Sequence, residues 1–189
     1  LDPEDLHYDR INFLKTGIIH ADLLTTVSPT HAREILEPGY GMGLDGWLRG
    51  RSGSLIGILN GVDYAEWSPR TDEHIPHHYS AGRMAGKERN KQAVMHELGL
   101  DYQFDRPLVG MVTRLAEQKG LDILAAALPD LLGLDLQLVI LGSGDGRYER
   151  WLREAGQRHP TRLAATLAFD DALAHQIEAG ADMFLMPSR

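Results

Sequence analysis

The second half of the chain alternates short apolar runs with segments in which apolar residues recur every three or four positions. Runs typical of buried strands begin at Leu108, Leu136 and Met183, and a weaker, alanine-rich candidate spans residues 163–169. Helical spacing of apolar residues predicts three intervening helices, at residues 121–132, 148–155 and 173–180. Because strand and helix alternate, we predict an α/β fold with a parallel sheet and right-handed crossovers.

The first half of the chain is less regular. Asp2 and Pro3 are typical of a helix start, and strand candidates span residues 23–27 and 55–59. Residues 64–78 mix proline, histidine and aspartate without a period, which predicts a linker, and a charged helix is predicted at residues 83–98. Two strands are too few for a stable sheet, so residues 1–62 are predicted to be the end of a larger domain.

Composition excludes several classes of protein. The 189 residues carry a net charge of -8, which disfavours a general nucleic-acid-binding protein. The absence of cysteine excludes a disulfide framework, a thiol nucleophile and a cysteine zinc site. No apolar run approaches the roughly 18 residues that a membrane-spanning helix needs, so we predict no integral membrane protein.

The loop from Thr113 to Gly120 brings two cations to the end of a predicted parallel strand. Ligands bind at this edge of such sheets, where helix N-termini also favour anions. The planar guanidinium of Arg114 and the ammonium of Lys119 suit a diphosphate. The alternative is that both are solvated surface cations, with Lys119 paired to Glu117 or Asp122.

A second loop at the same edge, Gly142 to Gly146, is rich in glycine. It departs from the dinucleotide fingerprint because Arg147 stands at the position of its last glycine, and the phosphate-lysine signature is absent. Two interpretations stay open. The glycines let a ligand approach the backbone closely, or they supply the positive φ of a plain turn.

Three histidines, His74, His77 and His78, lie close together in the predicted linker. A metal site would need a carboxylate or another histidine in fixed geometry, and the neighbouring sequence shows no such helix-borne pattern. We therefore predict no metal site.

Several ordered motifs resemble bacterial glycogen synthases and plant starch synthases. They are residues 21–34, Gly57 to Asp63, Trp67-Ser68-Pro69, Thr113-Arg114-Leu115, Gln118 to Asp122, Ala179 to Asp182 and Met186 to Arg189. The Arg-Leu-x-x-x-Lys-Gly loop alone would indicate only the broader group of two-domain retaining glycosyltransferases. The Asn-Gly-Val-Asp and Trp-Ser-Pro motifs narrow the resemblance to the synthases.

The resemblance implies a GT-B architecture, in which two doubly wound, Rossmann-like domains face each other across a cleft. Residues 1–62 would be the incomplete C-terminal end of the N-terminal, acceptor-side domain. Residues 63–189 would be the linker and a nucleotide-sugar-binding domain truncated at its C-terminus. The implied reaction transfers glucose from ADP-glucose to the non-reducing end of an α-1,4-glucan, with retention and without a metal or other cofactor. The implied compartment is the bacterial cytoplasm, or the plastid in a plant.

The same resemblance implies roles for individual residues. Arg114 and Lys119 would bind the donor diphosphate and stabilise the charge on the leaving group, which makes them the candidate catalytic residues. Further donor-binding residues would be Asn60, Gln118, Gly142, Ser143, Gly144, Asp145 and Phe169. Phe169 stands where the family often has a tyrosine beside the base, so stacking is retained and a hydroxyl contact is lost.

The chain also departs from the family pattern. The N-terminal lysine-glycine loop and the acidic motif after Pro-Ser-Arg are not in these 189 residues. We therefore expect an internal fragment that binds the donor and turns over little alone. A non-catalytic nucleotide- or glucan-binding module, and a retaining transferase with a UDP-sugar donor, stay open as alternatives. The donor base, the oligomeric state and allosteric control are not predicted.

Overall fold

The computed structural model describes residues 11–188. The chain divides into two compact units at the junction of Val62 and Asp63. The helix predicted at Asp2 lies outside the described residues. None of the described helices is long and apolar enough to cross a membrane.

The first unit contains a two-stranded parallel sheet. Its elements are α1 (Phe13–His20), β1 (Leu24–Val27), α2 (Pro29–Glu34), α3 (Asp45–Gly50), a 3-10 turn (Ser52–Ser54) and β2 (Leu55–Ile58). The strands pair from Leu24 with Leu55 to Val27 with Ile58. Ser28 caps α2 by accepting a hydrogen bond from the backbone N–H of Thr30.

The second unit is a four-stranded sheet with helices on both faces. Its elements are α4 (Ala85–Glu97), β3 (Leu108–Val112), a 3-10 turn (Glu117–Lys119), α5 (Leu121–Gly133), β4 (Gln137–Leu141), α6 (Gly146–Arg158), β5 (Leu163–Thr166), α7 (Asp171–Gly180) and β6 (Met183–Phe184). The strand order is β5-β4-β3-β6, and every pairing is parallel. The predicted α/β class with a parallel sheet is confirmed.

Residues of β3 and β4 alternate between two apolar cores, as the pleat of a strand requires. Leu108 and Val139 face one core, together with α4 and α7. Val109 and Leu138 face the opposite side, where α5 and α6 pack. Both central strands are buried on two faces, which explains why they are continuously apolar in sequence.

Some elements differ from the predictions. The strand expected over residues 163–169 ends at Thr166, and β6 pairs with β3 only through Met183 and Phe184. The helices α1 and α3 are not predicted, because apolar residues do not recur at clear helical spacing in either of them. Their placement depends on packing within the first unit.

Candidate functional site

A cavity of about 500 Å³ opens beyond the carboxyl ends of β3 and β4. The lining residues are Trp67, Val112, Thr113, Arg114, Leu141, Gly142, Ser143, Ala168, Phe169, Asp170, Asp171, Ala174 and Glu178. The chain adds β4 and β5 on one side of β3 and then returns to place β6 on its other side. The loop after β3 therefore lies at the switch point in strand order, where such sheets bind ligands.

Arg114 reaches this cavity from the loop after β3 and is exposed. Its Nη2 lies 3.5 Å from Oε1 of Gln118, so the first turn of the following segment helps to hold the guanidinium. Arg114 forms no salt bridge with any carboxylate among residues 11–188. The guanidinium is therefore available to an anionic ligand.

Lys119 ends the 3-10 turn of the same loop. The predicted alternative paired it with Glu117 or Asp122, but the Glu117 carboxylate instead lies 2.8 Å from Nη2 of Arg147. Within the part of the chain that the structure describes, no salt bridge involves the Lys119 ammonium. Lys119 does not line the cavity, so the two cations belong to one loop but only Arg114 lines the cavity.

Gly120, which follows Lys119, fixes how this loop turns into α5. Its φ is +72°, in the left-handed region that favours glycine. A Cβ at this position would stand 2.1 Å from the carbonyl oxygen of Pro187, just past β6. The loop therefore packs against the segment that follows the neighbouring strand, as expected at a switch point.

The glycine loop packs closely on the Arg114 loop. A Cβ on Gly142 would lie 1.9 Å from the carbonyl oxygen of Thr113, and one on Gly144 would lie 2.4 Å from that of Leu115. Neither glycine has a positive φ, so the interpretation as a plain turn that needs positive φ is wrong. Close approach is the reason for glycine here, but the partner that approaches is the neighbouring loop.

Backbone hydrogen bonds hold the two loops in register. The N–H of Leu115 donates to the carbonyl of Ser143 at 2.9 Å, and the N–H of Asp145 donates to the carbonyl of Leu115 at 2.8 Å. The Asp145 side chain caps α6 by accepting from the N–H of Arg147 at 2.9 Å. Of the predicted residues in this loop, Gly142 and Ser143 line the cavity, whereas Gly144 and Asp145 do not.

Phe169 and Glu178 contribute an apolar and an acidic side to the same cavity. Phe169 is 89% exposed, which leaves its ring free to cover a planar ligand at the rim. Partial burial raises the pKa of Glu178 above its ordinary value, an effect that nearby His175 opposes and Asp72 reinforces.

Asn60 belongs to the first unit, shortly after β2, and is exposed. Its predicted place beside the donor stays a prediction.

Sequence reasoning missed a buried group beside the cavity. The segment predicted as a linker contains no helix or strand, yet its Asp72 is buried against His175 of α7, with Oδ2 2.7 Å from Nδ1. The Trp67 ring stacks on the His175 ring at 3.7 Å between centroids. The only signals in the sequence were a histidine within a predicted helix and an aspartate in the predicted linker.

Two family models match this chain. The starch synthase catalytic domain matches residues 2–50, and glycosyl transferases group 1 matches residues 106–189. The chain is 56% identical to the glycogen synthase of Anaeromyxobacter dehalogenans strain 2CP-C over 182 residues, covering 96% of this chain and 38% of that protein. It is 47% identical to the glycogen synthase of Aromatoleum aromaticum, covering 100% of this chain and 40% of that protein.

The fold agrees with these sequence matches. The catalytic domain of starch synthase IV from Arabidopsis thaliana, bound to ADP and acarbose, superposes with a TM-score of 0.90 at 39% identity. This match covers 95% of the present chain and 37% of that one. Over nearly its whole length the chain is therefore similar to bacterial glycogen synthases and to a plant starch synthase. The predicted resemblance is confirmed, and the chain spans about two fifths of the length of the glycogen synthases that it matches.

Proposed function

We propose that the protein to which this chain belongs is a glycogen or starch synthase. It transfers glucose from ADP-glucose to the non-reducing end of an α-1,4-glucan, with retention of anomeric configuration. The observation that carries the proposal is the position of Arg114, which rims the cavity at the switch point without a carboxylate partner among residues 11–188. Relatives named glycogen synthase support the reaction, and they are bacterial, which supports a cytoplasmic compartment.

In this proposal Arg114 and Lys119 bind the donor diphosphate. As the bond between glucose and ADP breaks, negative charge grows on the leaving phosphate, and the two cations stabilise it most strongly in the transition state. Gln118 positions the Arg114 guanidinium, because Nη2 of Arg114 donates a hydrogen bond to the amide oxygen of Gln118. Such stabilisation needs cations that are not already neutralised, and the pairing of Glu117 with Arg147 removes one competing carboxylate.

The predicted residues of the glycine loop and Phe169 form the nucleotide side of the site. Gly142 and Ser143 supply the floor of the cavity, and Phe169 covers the base at its rim. Gly144 and Asp145 act indirectly, by fixing the loop against Leu115 and against the start of α6. We assign residues 63–189 to the donor-binding domain and residues 1–62, with Asn60, to the end of the acceptor-side domain.

Removing either cation is expected to weaken ADP binding. A charge-assisted hydrogen bond contributes about 1.5–3 kcal/mol, so Arg114→Ala and Lys119→Ala should each raise the Kd for ADP by roughly 10- to 150-fold. Calorimetric titration with ADP measures this effect. Arg153→Ala, which removes an exposed arginine of α6, is the matched control and should leave the Kd unchanged.

Adenosine distinguishes a diphosphate contact from a general loss of binding. Because adenosine lacks phosphates, its affinity should be the same for the unmodified chain and for both variants. If the variants lose as much affinity for adenosine as for ADP, the roles assigned to Arg114 and Lys119 are contradicted. Titration with UDP tests the donor base, and labelled glucose transferred to glycogen by the whole protein separates an enzyme from a non-catalytic binding module.

A further inference from the structure

Three side chains that can bind a metal lie together where the segment before α4 meets α7. His74 comes from that segment, while Asp171 and His175 come from the first two turns of α7. Each offers one ligand atom, and these atoms all lie within 4.8 Å of one another. Asp171 and His175 are four positions apart, so they share one face of the helix.

The His175 ring is held rigidly in this position. Its side chain is fully buried, Nδ1 lies 2.7 Å from Oδ2 of Asp72, and the Trp67 ring stacks on it at an interplanar angle of 11°. The ring of His74 lies tilted beside it, with 4.6 Å between centroids. Asp72 is itself buried, so neither partner of this contact is free to turn into solvent.

The contact with Asp72 decides which nitrogen of His175 carries the proton. An ionised carboxylate only accepts hydrogen bonds, so Nδ1 is the protonated nitrogen. The other nitrogen, Nε2, is buried and has no hydrogen-bond partner among the described residues. A ligand at Nε2 would supply the partner that this buried atom lacks. Nε2 is therefore the ring nitrogen of His175 that is left for a ligand.

In metal-binding histidines one ring nitrogen usually contacts a carboxylate and the other binds the metal. The geometry points to a Zn²⁺ site formed by His74, Asp171 and His175. Two imidazoles with one carboxylate suit zinc, whereas magnesium and calcium prefer oxygen ligands. Water would take the fourth position, since His74 and Asp171 are exposed.

The three ligand atoms lie within 4.8 Å of one another, whereas ligand atoms about 2.0–2.2 Å from a tetrahedral zinc lie roughly 3.3–3.6 Å apart. Zinc binding therefore requires the exposed side chains of His74 and Asp171 to turn inward while the buried His175 stays fixed. His77 and His78 take no part, and Nε2 of His78 lies 2.9 Å from the carbonyl oxygen of Asp72.

Bound zinc would join the segment that carries Trp67 to α7. Because Trp67 and Asp171 both line the cavity, the metal would stabilise one wall of it without contacting the reacting bond. The role is structural and does not depend on the proposed function. Zinc binding can fail while ADP binding stands, and the reverse also holds.

The test measures the effect of zinc on thermal stability. The untagged full chain is freed of metal with a chelator and heated with and without Zn²⁺. At zinc about 100-fold above its Kd, the Tm should rise by roughly 5–10 °C. His74→Ala and Asp171→Asn should each weaken zinc binding at least about 10-fold in calorimetry and lose most of the rise. Both residues are exposed, so neither change threatens folding.

The matched controls are His77→Ala and Glu73→Gln, which remove a histidine and a carboxylate from the same segment. Both should keep the full rise in Tm. Co²⁺ should give the visible absorption of a tetrahedral site in the unmodified chain and not in His74→Ala. An unchanged Tm of the unmodified chain with zinc, or an equal rise in all variants, would overturn the proposal.

Discussion

Replacing Lys91 with alanine is expected to lower the free energy of unfolding by about 2–3 kcal/mol, because the ammonium is buried, whereas the Asp182 carboxylate is 36% exposed and stays solvated when the lysine is removed. The Lys91 side chain, on α4, is only 3% exposed, and its Nζ lies 2.8 Å from the Asp182 carboxylate. The ammonium also donates to the carbonyl oxygen of Arg106 at 2.9 Å and to that of Phe104 at 3.3 Å.

The loss of stability would extend to the start of β3. The same oxygen of Asp182 accepts a hydrogen bond from the N–H of Leu108 at 2.7 Å. Lys91 and Asp182 together therefore join α4, β3 and the approach to β6. This explains the aspartate of the Ala-Gly-Ala-Asp motif by structure rather than by ligand binding.

Urea unfolding followed by circular dichroism measures this effect. Arg89→Ala, which removes an exposed cation from the same helix, is the control and should change the free energy of unfolding by less than about 0.5 kcal/mol. Equal stabilities of the two variants would show that the pair of Lys91 and Asp182 contributes little.

Gly142→Ala is expected to reduce both stability and ADP binding. The added Cβ would stand 1.9 Å from the carbonyl oxygen of Thr113, and backbone on both sides is held by the sheet. Overpacking of this kind costs about 1–3 kcal/mol. Relief of this clash requires the Thr113 backbone to move. Arg114 is the next residue in the chain and would move with it. A displacement of about 1 Å at a site costs on the order of 100-fold in function, so we expect a 10- to 100-fold weaker ADP affinity.

The same loop provides a matched control. A Cβ on Gly146, the first residue of α6, meets only the end of the Arg150 side chain at 3.5 Å. Gly146→Ala should therefore fold as stably as the unmodified chain or slightly more so, with unchanged ADP affinity. If Gly142→Ala behaves like Gly146→Ala in both assays, the packing of the two loops does not position Arg114.

Much of the fold could be predicted because its physical causes are local. The runs at Leu108 and Leu136 are apolar since both faces of β3 and β4 are buried, and the helices between them keep a clear apolar face. The weak elements are those whose formation depends on neighbours. β6 has only two paired residues, and α3 lies in a stretch whose sequence favours turns.

The site residues stay a prediction. Arg114, Gly142, Ser143 and Phe169 line one cavity, whereas the other predicted residues do not line it: Asn60, Gln118, Lys119, Gly144 and Asp145. The contact of Asp72 with His175 joins residues 103 positions apart, and no local pattern encodes it. The reason for glycine at position 142 could not be predicted either, because the backbone that approaches it belongs to another loop.

The account depends most on the claim that Arg114 and Lys119 bind a diphosphate at the end of β3. A crystal structure of the chain with ADP tests this claim directly. We predict phosphate oxygens within about 2.7–3.2 Å of the Arg114 guanidinium and of the Lys119 ammonium, with the base beside Phe169. ADP bound elsewhere on the chain, or in this cavity with its phosphates away from both cations, would contradict the account.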